Sequence, residues 1–353
     1  MYVDRLETPA LIVEEKILYK NIEAMKSLLM GTDLQLRPHF KTHKCAALAH
    51  LQIKNGAKGM TCAKLSEAMD LCDSGIEDIL IANQIVQPDK IVKLAKLAGD
   101  CRLTVCVDEE ENIKALNRAA KFMGTTIHCL IEYDIGMQRC GVIDQNEVLR
   151  LAEIIGSQSN LVFDGIQAYA GHISHIEDLE ERKQMTAANY KKLWDLLALL
   201  KEHGMPAMTL SGGSTGTAVI KAKEGLYTEL QAGSYLFMDN TYKDLNLPFE
   251  NSLFILATVI SRNERLTVVD AGVKTCGVDQ GMPGLVGYQA KEIVASEEHF
   301  QLHGLREKAN IGDKIRLIPG HCCSTINLYD RIYLVDGNKV VDRISVTGRG
   351  YGK

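Results

Sequence analysis

The chain has 353 residues, enough for about two domains at roughly 150 residues each, or for one large α/β barrel with a smaller partner. Hydrophobic residues make up 46% and charged residues 24%, which excludes a disordered, collagen-like or low-complexity chain. The formal charge of −5 gives no electrostatic reason to expect nucleic acid or an anionic membrane as a partner.

No apolar run approaches the ~18 residues of a membrane span. Residues 1–10 carry Asp4, Arg5 and Glu7 instead of a signal-peptide core, so a cytoplasmic protein is the expectation. The cysteines, among them Cys72, Cys106 and Cys129 in apolar segments, are then expected as reduced thiols that pack as small hydrophobes.

In chain order, strand-like runs fall at 34–39, 58–63, 78–84, 102–108, 126–134, 161–170, 207–212 and 227–236. Helical patterns lie between them at 64–74, 88–98, 109–123, 145–156 and 179–203. Ile79-Leu80-Ile81-Ala82 is apolar throughout, as a parallel strand covered on both faces requires. Pro88 suits a first helical turn. Eight strand–helix units joined by right-handed crossovers predict a (β/α)8 TIM-type barrel. An open doubly wound sheet is the alternative, weakened because no GxGxxG opens the first unit. After about residue 245 the runs become short, β-branched and separated by turns (253–261, 265–271, 314–319, 331–335, 340–346), with a hairpin signal at Asp336-Gly337. The expected organisation is a barrel over 14–245 and a second, C-terminal all-β domain over 246–353, joined by residues 1–13 through the strand-like Ala10-Leu11-Ile12-Val13.

Barrel active sites sit at the carboxyl ends of the strands. The first strand runs into Arg37-Pro38-His39-Phe40-Lys41-Thr42-His43-Lys44. A lysine in a partly desolvated barrel mouth can form a Schiff base with a carbonyl; the plainer reading is a solvated basic loop. The fifth strand ends in Glu132-Tyr133-Asp134 and leads to Arg139, which either binds a ring oxygen or carboxylate or completes a structural ion pair. Tyr169, at the end of the sixth, either stacks on a planar cofactor or packs in the core. The seventh unit carries Ser211-Gly212-Gly213-Ser214-Thr215-Gly216-Thr217 and the eighth Gln231-Ala232-Gly233-Ser234-Tyr235. Loops there often hold phosphate; the plainer reading is a flexible turn. Far downstream, His321 and Cys323 are two apart in what reads as an extended segment, so both side chains can face one metal. The pair is incomplete for a closed structural zinc site.

Together these residues resemble the D-threonine aldolase and D-serine dehydratase family of fold-type III pyridoxal-phosphate (PLP) enzymes, related to the alanine racemase barrel. The resemblance runs in order from Arg37–Lys44 through Met60–Ala68, Asp78–Gln84, Gly136–Gly141, Ala168-Tyr169 and Ser211–Thr217 to His321-Cys322-Cys323. It implies that Lys41 carries PLP covalently, that Arg139 and Tyr169 lie beside the ring, and that Gly213, Ser214, Thr215, Gly233, Ser234 and Tyr235 surround the phosphate. It implies that His321 and Cys323 hold a divalent metal and that Asp279 is a further, substrate-binding acid. Cys323 is the dehydratase form of the second ligand, where aldolases usually carry Asp; the flanking residues resemble the aldolases. A thiolate favours Zn²⁺ over Mn²⁺ or Mg²⁺. The expected activity is retro-aldol cleavage of D-threonine-type D-3-hydroxy-α-amino acids to glycine and an aldehyde. The alternative is dehydration of D-serine or D-3-hydroxyaspartate to a 2-oxo acid and ammonia, and a more remote one is an amino-acid racemase. The resemblance also implies a homodimer.

Overall fold

The computed structural model describes residues 1–352. The chain opens with β1 (Ala10–Glu14) and α1 (Glu15–Leu29). There follow β2 (Gln35–Leu36), α2 (Ala46–Lys54), β3 (Met60–Cys62), α3 (Leu65–Asp73), β4 (Asp78–Gln84), α4 (Pro88–Leu97), β5 (Arg102–Val107), α5 (Glu110–Met123), β6 (Ile127–Glu132), α6 (Gln145–Ser157), β7 (Leu161–Ala168), α7 (Leu179–Glu202), β8 (Thr209–Gly212), α8 (Ala218–Glu224) and β9 (Glu229–Leu230). The remainder is β10 (Leu253–Arg262), β11 (Leu266–Val269), β12 (Gly284–Leu285), β13 (Glu292–Ala295), β14 (Phe300–His303), β15 (Lys314–Ile318), the short helix α9 (Cys322–Ile326), β16 (Arg331–Asp336) and β17 (Lys339–Ser345).

β2 to β9 form one parallel sheet in the order β2-β9-β8-β7-β6-β5-β4-β3. The circle closes where Lys58 N–H donates to Leu36 O at 2.8 Å and Thr61 N–H to Pro38 O at 2.9 Å, beside a parallel bridge between His39 and Thr61. This is the barrel that the eight strand–helix units predict. Its helices begin where the sequence supplies caps: the Glu109 carboxylate accepts Asn112 N–H at 2.9 Å before α5, and Asp178 accepts Glu181 N–H at 2.7 Å before α7. α5 stops at Gly124, which takes the left-handed conformation with φ 67°. Leu80, Cys106 and Leu130 pack together inside the barrel.

The Arg37 guanidinium is buried at the amino-terminal end of the barrel, not solvated in a basic loop. Its Nη1 and Nη2 donate to Asp78 at 2.8 and 3.0 Å; its Nε and Nη2 donate to Glu229 at 2.8 and 3.0 Å. Lys58 pairs with Glu229 as well, at 2.8 Å. Burial alone would raise the Glu229 carboxyl, but Arg37 and Lys58 outweigh it and hold the group at about 2. Lys44 is buried too, its Nζ donating to Gly348 O at 3.4 Å.

The other strands form a second, mostly antiparallel sheet in which β1 pairs antiparallel with β10 and parallel with β16. The alternating Ala10 and Ile12 pack with Val3, Leu6, Phe254, Leu256 and Val335. The hairpin at Asp336-Gly337 joins β16 to β17, with Asp336 opposite Lys339.

Two compact units result. One consists of residues 26–41, 48–233 and 351–352; the other of residues 1–25, 42–47 and 234–350. Residues 14–25 and 234–245, expected with the barrel, group with the β-rich unit for a visible reason. Asn21 Nδ2 donates to Leu236 O and Glu250 O at 3.2 and 2.8 Å, and its Oδ1 accepts Glu250 N–H at 2.9 Å. Residues 42–47 are tied there by Gly348 N–H to Lys44 O at 2.8 Å and Ala46 N–H to Thr347 Oγ1 at 3.1 Å. Among the described residues no helix is long and apolar enough to cross a membrane.

Candidate active site

At the carboxyl ends of the barrel strands lies a cavity of about 210 Å³, and Lys41, Arg139 and Tyr169 all stand in its wall. Lys41 sits in a single helical turn, Phe40–Thr42, directly after β2, and its backbone N–H donates to His39 Nδ1 at 3.3 Å. Arg139 reaches the cavity because its loop is pinned from inside: the Asp134 carboxylate accepts Gly136 N–H at 2.8 Å and Gln138 N–H at 2.9 Å, and Asp108 accepts Gly141 N–H at 2.9 Å. The Arg139 guanidinium lies 5.7 Å from the Tyr169 ring centroid. All three thus line one cavity, and Arg139 there also stands 3.9 Å from Glu132, as the ion-pair reading of it expected.

The cavity also holds polar residues that sequence reasoning left without a role. Glu132, the last residue of β6, is 6% exposed and accepts Gln84 Nε2–H at 2.5 Å. Arg139 Nη2 stands 3.9 Å from its other oxygen. Burial pushes the Glu132 carboxyl up, and Gln84 and Arg139 only partly offset this. Gln167 and Gln231 exchange an amide hydrogen bond of 2.6 Å, and Gln231 Nε2 also donates to Ser211 Oγ at 2.9 Å. The available signal was a carboxamide or carboxylate at the end of an otherwise apolar strand, which needs a partner when buried.

Gly213, Ser214 and Thr215 form a buried turn after β8. Ser214 N–H donates to Thr217 Oγ1 at 3.0 Å, and Ser174 Oγ–H donates to Ser214 Oγ at 2.7 Å. The turn is therefore fixed by hydrogen bonds, and the flexible-turn reading does not describe it. Gly233 ends the barrel unit, while Ser234 and Tyr235 open a helical turn of the β-rich unit. The Tyr235 ring is buried, tilted 58° against Phe249 with centroids 5.7 Å apart.

In the β-rich unit, His321 is the extended residue that caps α9, and Cys323 lies inside that helix. The expectation of an extended segment is thus corrected. The Asp239 carboxylate accepts Cys322 N–H at 2.8 Å and so starts the helical turn. Cys323 Sγ lies 3.5 Å from Oγ1 of Thr42, the chain neighbour of Lys41. His321 Nδ1–H donates to Asp279 Oδ2 at 2.8 Å, and Ser324 Oγ–H donates to Asp279 Oδ1 at 2.5 Å. Burial opposes protonation of His321, but Cys323 and Asp279 outweigh it and push the imidazole up to about 9. Burial likewise opposes ionisation of Asp279, yet its bonds to Ser324 and His321 leave the carboxyl below its ordinary range. With Nδ1 on a carboxylate and the Cys323 thiol beside the ring, a cation that displaced the imidazole proton would find one nitrogen and one soft sulfur donor together. The donor chemistry fits a divalent metal. Among the described residues, no group of three or more His, Cys, Asp or Glu side chains converges on one point, so such a metal would keep open positions.

The alanine racemase N-terminal domain family matches residues 13–241, and the serine dehydratase domain family matches residues 252–335. The chain is 37% identical to a D-threonine aldolase of Arthrobacter sp, over 99% of this chain and 94% of the relative. It is 36% identical to a 3-hydroxy-D-aspartate aldolase of Paracoccus denitrificans, over 98% and 93%. A D-threo-3-hydroxyaspartate dehydratase of Delftia sp. is 26% identical over 91% and 92%. Among solved structures, a D-threonine aldolase from Filomicrobium marinum superposes with a TM-score of 0.95 at 35% identity, covering 100% of this chain and 98% of that one.

Proposed function

The chain belongs to the family that joins an alanine racemase N-terminal domain to a serine dehydratase domain, and on that premise we propose that it is a PLP- and divalent-metal-dependent lyase cleaving D-3-hydroxy-α-amino acids of the D-threonine type to glycine and an aldehyde. The observation that carries this reading is the meeting of Lys41, Arg139 and Tyr169 in one cavity at the catalytic end of the barrel. A primary amine, a guanidinium and an aromatic ring suit a planar aldehyde with a phenolic oxygen. The two aldolases share more of this sequence than the dehydratase does, which supports carbon–carbon cleavage over elimination.

PLP, when bound, supplies an electron sink for charge developing at the substrate Cα, and a divalent metal supplies Lewis acidity toward the β-hydroxyl. The chain's residues prepare both. Lys41 Nζ would hold the cofactor at its aldehyde carbon. Arg139, 3.9 Å from Glu132 and 5.7 Å from the Tyr169 ring centroid, would hold the phenolic oxygen, and Tyr169 would flank the ring. Gly213, Ser214, Thr215, Gly233, Ser234 and Tyr235 would hold the phosphate. His321 and Cys323 would hold the metal, and a thiolate donor would favour Zn²⁺ over Mn²⁺ or Mg²⁺. The active species is a homodimer.

One observation favours a second reading. Cys323 places a thiolate where the resemblance associates aspartate with aldolases, and this suits a D-serine or D-3-hydroxyaspartate dehydratase. Incubating the PLP- and metal-loaded protein with D-threonine separates the two. Glycine with acetaldehyde is the expected result; ammonia with 2-oxobutyrate would overturn the aldolase reading in favour of elimination.

A further inference from the structure

We propose that Asp279 is the positioning residue of the metal centre: its carboxylate fixes His321 in the orientation that presents Nε2 to the cation. The proposal rests on the reading of His321 and Cys323 as metal ligands.

Both carboxylate oxygens are already engaged. Oδ2 accepts His321 Nδ1–H at 2.8 Å and Oδ1 accepts Ser324 Oγ–H at 2.5 Å. The first bond orients the imidazole and the second ties the carboxylate to the helix that follows His321, so the group is held in register with the ligand turn. The loop that carries Asp279 is built onto the turn that carries the ligands. His321 N–H donates to Gly277 O at 3.1 Å, Gly277 N–H donates to Thr325 Oγ1 at 2.9 Å, and Thr325 Oγ1–H donates to His321 O at 2.7 Å. A Cβ at Gly277 would collide with Ser324 Oγ, and one at Gly320 with Gly281 O. The two segments are thus in backbone contact at both ends, and Asp279 is delivered to His321 by a loop with little freedom to shift.

An imidazole needs this help. With Nδ1 unheld, the ring can rotate about its side-chain bonds and can carry its proton on either nitrogen, so a fraction of molecules would offer the metal the wrong atom. A carboxylate on Nδ1–H selects the tautomer and raises the basicity of Nε2. Removal of such a partner typically weakens metal binding about 10- to 100-fold.

The experiment is a metal-buffered titration of the full-length PLP-bound protein with Zn²⁺, with thermal melting as a control for folding. Asp279→Ala is expected to weaken the Zn²⁺ dissociation constant about 10- to 100-fold with Tm unchanged, and Asp279→Asn, which keeps an acceptor but loses the charge, by about tenfold. Should Asp279→Ala fail to fold, Asp279→Asn carries the test. A Zn²⁺ affinity within twofold of wild type in the folded variants, with a raised KM for the D-amino acid, would overturn the positioning role in favour of substrate binding. His321→Ala is the reference: if it keeps wild-type Zn²⁺ affinity, the metal-centre reading fails; if it loses Zn²⁺ while Asp279→Ala does not, only the positioning role fails.

Discussion

Lys41 was legible because a lysine just past the first strand of a barrel lies at the end where such folds place chemistry. Its substitution by alanine is expected to remove the visible absorbance of bound cofactor together with activity; an unchanged spectrum would refute the assignment. On the proposed reading, Cys323 bears the choice of metal. Cys323→Asp replaces a soft donor by a hard one, so the preference should move from Zn²⁺ toward Mn²⁺ or Mg²⁺ with the fold intact, as read by competition between the ions at equal free concentration. Other residues were misjudged from their neighbours. Arg37 and Lys44 look like solvent-facing cations in sequence, yet both are buried against partners dozens to hundreds of positions away. The pairing of Asp279 with His321 across 42 positions likewise carries no local signal.

Among the elements, the barrel strands β4 to β7 and the helices α3 to α7 were read close to their observed bounds, since strand burial and helix caps are encoded within a few residues, whereas β2 and β9 are only two residues each where runs of six and ten were expected. The first, second, eighth and ninth helices were not singled out, and neither were the strands β12, β13 and β14. α2 is only nine residues long and α8 seven, too short for a 3.6-residue period to emerge. The ion cluster at the amino-terminal end joins β4 and β9 through the segment after β2. Its Glu229 has a depressed pKa, so its contribution to stability is complete above the unfolded carboxylate value near 4.3–4.5 and is lost as pH falls toward about 2. That contribution is about 3 kcal/mol from the shift. Arg37→Ala leaves Glu229 buried with only Lys58 and should cost about 3–5 kcal/mol in urea unfolding at pH 7. It should also flatten the fall in stability between pH 4.5 and 2. A variant as stable as wild type with the same acid limb would refute the role of the cluster.

For the molecule as a whole, the family resemblance implies two copies of the chain. Sedimentation of the PLP-loaded protein is expected to give the mass of two chains at micromolar concentration, and a single-chain mass at full activity would refute the homodimer. The family resemblance spans nearly all of the sequence, and the matches at residues 13–241 and 252–335 agree with it.

The barrel and the β-rich region could be read from the chain alone, as could the candidate positions Lys41, the glycine-rich turn and the His-x-Cys pair. Hydrophobic period, turn chemistry and short motifs are all local properties of a chain. Only the tertiary structure decided that Arg139 lies over Tyr169, that Glu132 and Gln84 share a buried hydrogen bond, and that α1 joins the β-rich unit through Asn21. It alone decided that His321 is held by Asp279. These are contacts between residues far apart in sequence, set by which surfaces the fold buries together, and burial is what turns an ordinary polar side chain into one that must find a partner.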